Sequence, residues 1–181
     1  MDSKQKKRIS KFLSYVLRHH PESIQLTLDQ NGWANVDELI EKSTAKNLFF
    51  TKEEVHDIVA TNDKKRFSFN EDTTMIRANQ GHSLQYVDLE MKAKEPPVLL
   101  YHGTVQKYVA SIQQEGLKKG NRQHVHLSVD VRTAENVGSR RGKPIVLEVE
   151  AQRMHSSGYE FFLSENGVWL TDHVPVEFII F

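Results

Sequence analysis

Three basic positions in this chain combine side chains and settings suited to phosphate: Arg18-His19 at the end of a helix-like run, Arg66 at the start of a strand-like run, and Arg122 just ahead of His124-Val125-His126-Leu127-Ser128. An arginine offers a planar fork of donors that meets phosphate oxygens two at a time, and it keeps its charge at any working pH. The plainer alternative is that Arg18 and His19 simply complement the negative end of a helix dipole. A fourth stretch, Tyr101-His102-Gly103-Thr104, stands where a buried strand is expected to end and a helix to begin. There a glycine allows close approach of a ligand, and His and Thr supply donors. Gly138-Ser139-Arg140-Arg141-Gly142 reads either as a phosphate-contacting loop or as a solvated turn.

Several chemistries are disfavoured at once. The chain has no cysteine, which removes disulfides, thiolate zinc sites and Cys nucleophiles. No Gly-x-Gly-x-x-Gly follows a strand, and no nucleophile elbow surrounds Ser128. His124-x-His126 is the best metal pair, yet no third ligand has suitable spacing, so no metal is expected. Phe161, Phe162 and Trp169 read as core rather than as base-stacking platforms.

The elements that must position these residues follow from periodicity. Ile9, Phe12, Leu13, Val16 and Leu17 form an amphipathic helical stripe that Pro21 stops. Asn35 and Thr51 each precede a glutamate by three positions, the N-terminal signature of two further helices. Phe67 to Phe69 and Met75 to Ala78 alternate about a polar turn and predict a hairpin. Three helices followed by a hairpin suggest a winged-helix lobe. Lys92 to Pro97, charged and then stiffened by two prolines, reads as a linker. Beyond it, strands are expected at Val98–Tyr101, Val125–Ser128, Ile145–Val149 and Val176–Phe181, with a helix from Val105 to Gln114. Asn166-Gly167 marks a hairpin turn. The predicted class is α+β, with a lobe at 1–92 and a strand-rich lobe at 93–181.

Length and charge set outer bounds. A chain of 181 residues holds one large domain or two small ones. Its formal net charge is zero, so any nucleic-acid footprint must be local. The N-terminus from Lys4 to Lys11 is densely cationic and not followed by an unbroken apolar core, and no run is long enough to span a membrane. These features predict a soluble cytoplasmic protein, by default a monomer.

Taken together, Ser10 to His19, Asp63 to Phe67, Arg77-Ala78-Asn79-Gln80-Gly81-His82-Ser83, Leu100 to Thr104, Arg122 to Ser128 and Glu165 to Thr171 closely resemble the RNA 2′-phosphotransferase family, in family order and over nearly the whole chain. The resemblance implies an RNA-binding winged-helix lobe followed by an NAD-binding lobe of ADP-ribosyltransferase type. It implies Arg18, His19, Arg66 and Arg122 as catalytic residues. It implies NAD as a consumed co-substrate, held by His102, Gly103, Thr104, His126 and Ser128, with Arg140 in support. The RNA would carry an internal 2′-phosphate, as tRNA splice junctions do in some lineages. Two other readings stay open: an ADP-ribosyltransferase that caps terminal phosphates of nucleic acid, and a non-enzymatic winged-helix regulator.

Overall fold

The stripe from Ile9 to Leu17 does form a helix, α1 (Ser3–Arg18), and Ile9, Leu13, Val16 and Leu17 are buried along it. Asp2 caps its N-terminus by accepting from the Gln5 N–H at 2.7 Å. The computed structural model describes residues 1–181, and its backbone divides into two compact units, Met1–Glu90 and Met91–Phe181.

In the first unit α1 is followed by the short strand β1 (Ala34–Asn35), then by α2 (Val36–Ser43) and α3 (Lys52–Ala60). Asn35 caps α2 by accepting from the Glu38 N–H at 3.0 Å. Thr51 and Glu54 form a full capping box at the start of α3, each accepting from the other's backbone. The expected hairpin is present as β2 (Phe67–Phe69) and β3 (Met75–Ala78), in antiparallel register Phe67↔Ala78 and Phe69↔Ile76. Strand β1 pairs with the other edge of β3, so the sheet runs β1-β3-β2. One apolar cluster, from Ile9 through Ala34 and Leu39 to Ile76 and Ala78, joins the three helices to this sheet. Burying each large aliphatic side chain there contributes roughly 1.5–3 kcal/mol.

The second unit departs from expectation in several places. The first strand there is β4 (Leu100–Val105), so Tyr101-His102-Gly103-Thr104 lies inside a strand and not at a strand-to-helix junction. Its antiparallel pairing with a later strand continues for six residues, through Gly103↔Val146 and Thr104↔Ile145, and only then does α4 (Gln106–Glu115) begin. After β5 (Leu117–Lys118) and β6 (Val125–Leu127) comes a helix the sequence reading did not anticipate, α5 (Val131–Gly138), capped by Asp130. It packs against β4 at Gly103, where an added Cβ would stand 1.8 Å from the Ala134 carbonyl oxygen. The partner of β4 is β7 (Pro144–Val149), followed by α6 (Ala151–Ser156).

Next comes the Asn166-Gly167 hairpin, β8 (Phe162–Leu163) and β9 (Trp169–Thr171), closed by Ser164 N–H to Val168 O at 3.0 Å. Phe161 and Trp169 are buried, as expected of core residues. The last strands are β10 (His173–Val174) and β11 (Ile179–Ile180). Val176–Phe178, expected to be extended, forms a 3₁₀ turn instead. The turn follows Pro175 and drops Phe178 into the core against the Tyr159 ring, 5.6 Å away between centroids. The sheets are ordered β11-β7-β4, β6-β9-β8 and β10-β5, all antiparallel. Small antiparallel sheets with helices against them make the chain α+β. No helix is long and apolar enough to cross a membrane.

Candidate functional site

Arg18 is the last residue of α1, and its Nε and Nη2 atoms are shielded from solvent. His19 caps the helix, its N–H donating to the Tyr15 carbonyl at 3.1 Å. Ser83, five residues past the end of β3, reaches both residues. Its backbone N–H donates to the Arg18 carbonyl at 3.0 Å, and its Oγ lies 3.0 Å from His19 Nδ1. That contact engages one imidazole nitrogen and fixes the ring's orientation.

Arg66 is placed by a second set of contacts. Lys65 sits in the left-handed region at φ +40°, an unfavourable conformation for a residue with a Cβ. Asn79 holds that bend: its side-chain amide donates to the Lys65 carbonyl at 2.7 Å and its N–H to the Arg66 carbonyl at 2.9 Å. Arg66 Nη1 donates to Asn62 Oδ1 at 3.3 Å, and Asn62 Nδ2 in turn lies 3.4 Å from Ser10 Oγ on α1. Arg18 and Arg66 thereby line one groove of about 570 Å³ together with Lys6, Lys7, Lys11 and Lys64.

Between Asn79 and Ser83 the chain turns at Gly81, φ +86°, and sends His82 into the interior. Both ring nitrogens of His82 are buried without a hydrogen-bond partner. Burial, followed by the positive charges of Arg18, His19 and Arg77, pushes its pKa down to about 4, so the ring is neutral at physiological pH. A neutral ring near these positive side chains avoids the repulsion a protonated one would bring. Arg77 itself lies over the Trp33 ring, 4.5 Å from its centroid.

Asn79, His82 and Ser83 were not assigned a role from sequence, although the stretch Arg77 to Ser83 was among the matching segments. Their signal was a run of polar residues and one glycine directly after a strand. What each polar group holds is visible only in three dimensions.

The second unit gathers the remaining candidates around β4 and β6. Tyr101 and Ser128 exchange backbone hydrogen bonds of 2.9 and 2.8 Å, which ties the two strands together. His102 Nδ1 lies 3.1 Å from the His126 carbonyl and donates to it. Burial, offset in part by that hydrogen bond, and the nearby Arg141 charge lower the His102 pKa. Arg122 Nη1 is 3.4 Å from His126 Nδ1. The Arg122 side chain keeps an exposed flank, yet desolvation first, and then the like charges of Arg141 and Arg140, hold its pKa below the usual arginine value.

Arg140 and Arg141 belong to a 3₁₀ turn, Ser139–Arg141, directly after α5. Three arginines crowding one another form a place where an anion relieves repulsion. Thr104 is buried, and Gly103 is required by the close packing of α5. His124 and His126 do not converge on a common point with a third ligand: the His124 ring faces Phe162, 5.7 Å between centroids.

Comparison with known proteins agrees with this distribution of side chains. The profile of the family described as RNA 2′-phosphotransferase, Tpt1 / KptA family, matches residues 4–173. A protein from Flavobacterium johnsoniae named probable RNA 2′-phosphotransferase is 58% identical over 175 residues, 97% of this chain and 96% of its own. Proteins of the same name from Acaryochloris marina and Pseudomonas syringae pv. tomato are 52% and 50% identical over 176 and 179 residues. They cover 97% and 99% of this chain, and 97% and 96% of their own.

Proposed function

This chain belongs to the RNA 2′-phosphotransferase family, and from that premise we propose that it removes an internal 2′-phosphate from RNA by transferring it to NAD. The observation that carries the proposal is the joint placement of Arg18 and Arg66 in one groove, with His19 next to Arg18 in the chain and in hydrogen-bond contact with Ser83. These groups suit a phosphomonoester: two guanidinium forks for its oxygens and an imidazole in the adjoining residue.

NAD is the co-substrate in this reading and supplies an electrophilic ribose carbon with nicotinamide as its leaving group. The crowded Arg122, Arg140 and Arg141 suit its pyrophosphate, and His102, Gly103, Thr104, His126 and Ser128 lie on the two strands beside them. The 2′-phosphate is already anionic, so its oxygen needs no strong base to attack C1″. That bond forms as the C–N bond breaks, and nicotinamide departs with the electron pair. In the second step the ribose 2″-hydroxyl attacks phosphorus and loses its proton, while the RNA 2′-oxygen leaves and gains one. The products are RNA with a 2′-hydroxyl and ADP-ribose 1″,2″-cyclic phosphate. In this reading arginine stabilises charge on the transferring phosphoryl group, and His19 is the group that moves the proton.

The test is incubation of the full chain with NAD labelled in the ADP-ribose and with an oligoribonucleotide bearing one internal 2′-phosphate. Release of labelled cyclic phosphate and nicotinamide is the expected result. Label retained on the RNA would identify a transferase that stops after the first step. No nicotinamide release would identify a binding protein.

A further inference from the structure

The charge of the first unit is distributed against expectation for a helix-reading nucleic-acid binder. In most helix-based binders the cations lie on a recognition helix and on the hairpin. Here α2 carries Asp37, Glu38 and Glu41 against Lys42, and α3 carries Glu53, Glu54 and Asp57 against Lys52. The hairpin turn adds Glu71 and Asp72. By contrast α1 holds Lys4, Lys6, Lys7, Arg8, Lys11 and Arg18 and no acidic residue.

That concentration works against the helix itself. Four of its cations lie within the first two turns, at the positive end of the dipole, where acidic residues would stabilise. Lys4 and Arg8, and Lys7 and Lys11, are like charges four residues apart. Lys6 is paired with Asp57 of α3 at 2.9 Å and Asp63 also lines the groove, but two acids do not balance Lys6, Lys7, Lys11, Lys64, Arg18 and Arg66, and the surplus suits an anionic ligand. The side chains are also aligned. Lys6, Lys7, Ser10, Lys11, Ser14 and Arg18 recur at three- and four-residue intervals and line the same groove. The serines between the lysines are small and keep the groove open. At 1.5 Å per residue, the stripe from Ser3 to Arg18 is roughly 22 Å long.

We propose that this groove is a phosphodiester track for single-stranded RNA, in which Lys7 and Lys11 on α1 and Lys64 opposite them hold the backbone on one side of the modified nucleotide. The inference rests on the proposed placement of the 2′-phosphate at Arg18 and Arg66. It adds that the substrate is an RNA strand several nucleotides long on that side, recognised through its backbone and not its bases. Because α1 extends from Arg18 in one direction only, a single flank of the RNA lies on the track.

The experiment compares four 2′-phosphorylated substrates: a dinucleotide, the same dinucleotide extended by about eight nucleotides on its 5′ side, on its 3′ side, and on both. KM and kcat are measured for the full chain and for the double variant Lys7→Ala/Lys11→Ala, across a series of salt concentrations. Removing two cations that meet nucleic-acid phosphate reduces the slope of log K against log salt by about 1.4 for a single strand. The expected result is that one flank lowers KM by roughly tenfold and the other does not. The double variant loses that advantage, with the matching fall in salt slope and no change in melting temperature beyond a small rise. The proposal is overturned if both flanks contribute equally, or if the double variant keeps the wild-type preference for the long substrate. Failure of the functional reading is separate: the wild-type chain would then release no nicotinamide even with the dinucleotide.

Discussion

The two units handle positive charge in opposite ways. In the first, cations are strung along one helix as far as Arg18 and face Arg66 across a groove, and the carbonyls of both arginines accept from the Asn79–Ser83 segment. In the second, Arg122 stands near Arg140 and Arg141, and desolvation first, then these like charges, lower its pKa. An extended row matches a polymer whose phosphates are regularly spaced. A compact cluster matches a small ligand whose charge is concentrated in one pyrophosphate. The contrast teaches that a chain with zero net charge can still concentrate its cations locally, because acids of the first unit gather on α2 and α3, from which Asp57 reaches back to pair with Lys6 on α1.

The largest effects are expected where either set of cations is cut. Arg66→Ala or Arg122→Ala removes one charge-assisted, forked contact, and by analogy with the loss of one oxyanion-hole donor costs roughly a hundredfold or more in rate. The second step, an unactivated hydroxyl attacking a phosphodiester, needs the most help, so both variants accumulate RNA-2′-phospho-ADP-ribose in a quenched time course. Arg18→Ala and His19→Ala share this behaviour to a smaller degree. Wild-type rates in all four would dissolve the comparison.

Structural substitutions should respect the boundary between the units, and each unit has its own reporter, Trp33 in the first and Trp169 in the second. Gly103→Ala places a Cβ 1.8 Å from the Ala134 carbonyl and forces α5 away from β4. Overpacking against backbone costs roughly 3 kcal/mol. Urea unfolding followed through Trp169 should shift, while the Trp33 transition holds its midpoint. A common shift in both would show that the units unfold as one.

His82 gives the first unit a matching acid sensitivity. Its folded pKa of about 4 lies below the unfolded value of 6.5, so between those values the unfolded state binds the proton that the folded state excludes. Stability is therefore constant above pH 6.5 as far as this residue goes, and about 3 kcal/mol is lost as pH falls from 6.5 to 4. The Trp33 transition should show that loss in the wild type, and His82→Gln should remove most of it. An unaltered pH dependence in the variant would assign the sensitivity elsewhere.

A smaller effect is expected at Ser83, which acts through His19. Ser83→Ala removes a partly buried hydrogen bond and should lower kcat about tenfold. The limb of the pH–rate profile that belongs to His19 should move, KM for RNA should stay near wild type, and Ser83→Thr should restore activity. A loss of activity with an unmoved profile would make Ser83 merely structural.

Much of this organisation was legible in the sequence where it depends on local periodicity. The Ile9–Leu17 stripe, the capping residues Asn35 and Thr51 and the alternating strands on either side of Asn70–Thr73 each specify an element within a few residues. Elements set by distant partners were harder to read. Strand β4 runs past Tyr101 because β7 pairs with it across six residues, and nothing within Tyr101–Thr104 reveals that partner. Helix α5 is short and starts from Asp130 without a glutamate three positions on, so it lacks the signature carried by Asn35 and Thr51. Phe178 sits in a 3₁₀ turn because the core needs its ring, whereas its sequence neighbours favour a strand. For the site, residue types identified the arginines and histidines. The helpers Asn79, His82 and Ser83 emerge only from the fold, since they act on residues up to 64 positions away.

The division of substrates between the units is tested most directly by calorimetric titration of the full chain with ADP-ribose and, separately, with a 2′-phosphorylated oligoribonucleotide that lacks NAD. His126→Ala and Arg140→Ala should weaken ADP-ribose binding and spare RNA, whereas Arg18→Ala and Arg66→Ala should weaken RNA binding and spare ADP-ribose. Loss of ADP-ribose affinity in the Arg18 or Arg66 variants, with none in the His126 and Arg140 variants, would contradict the division.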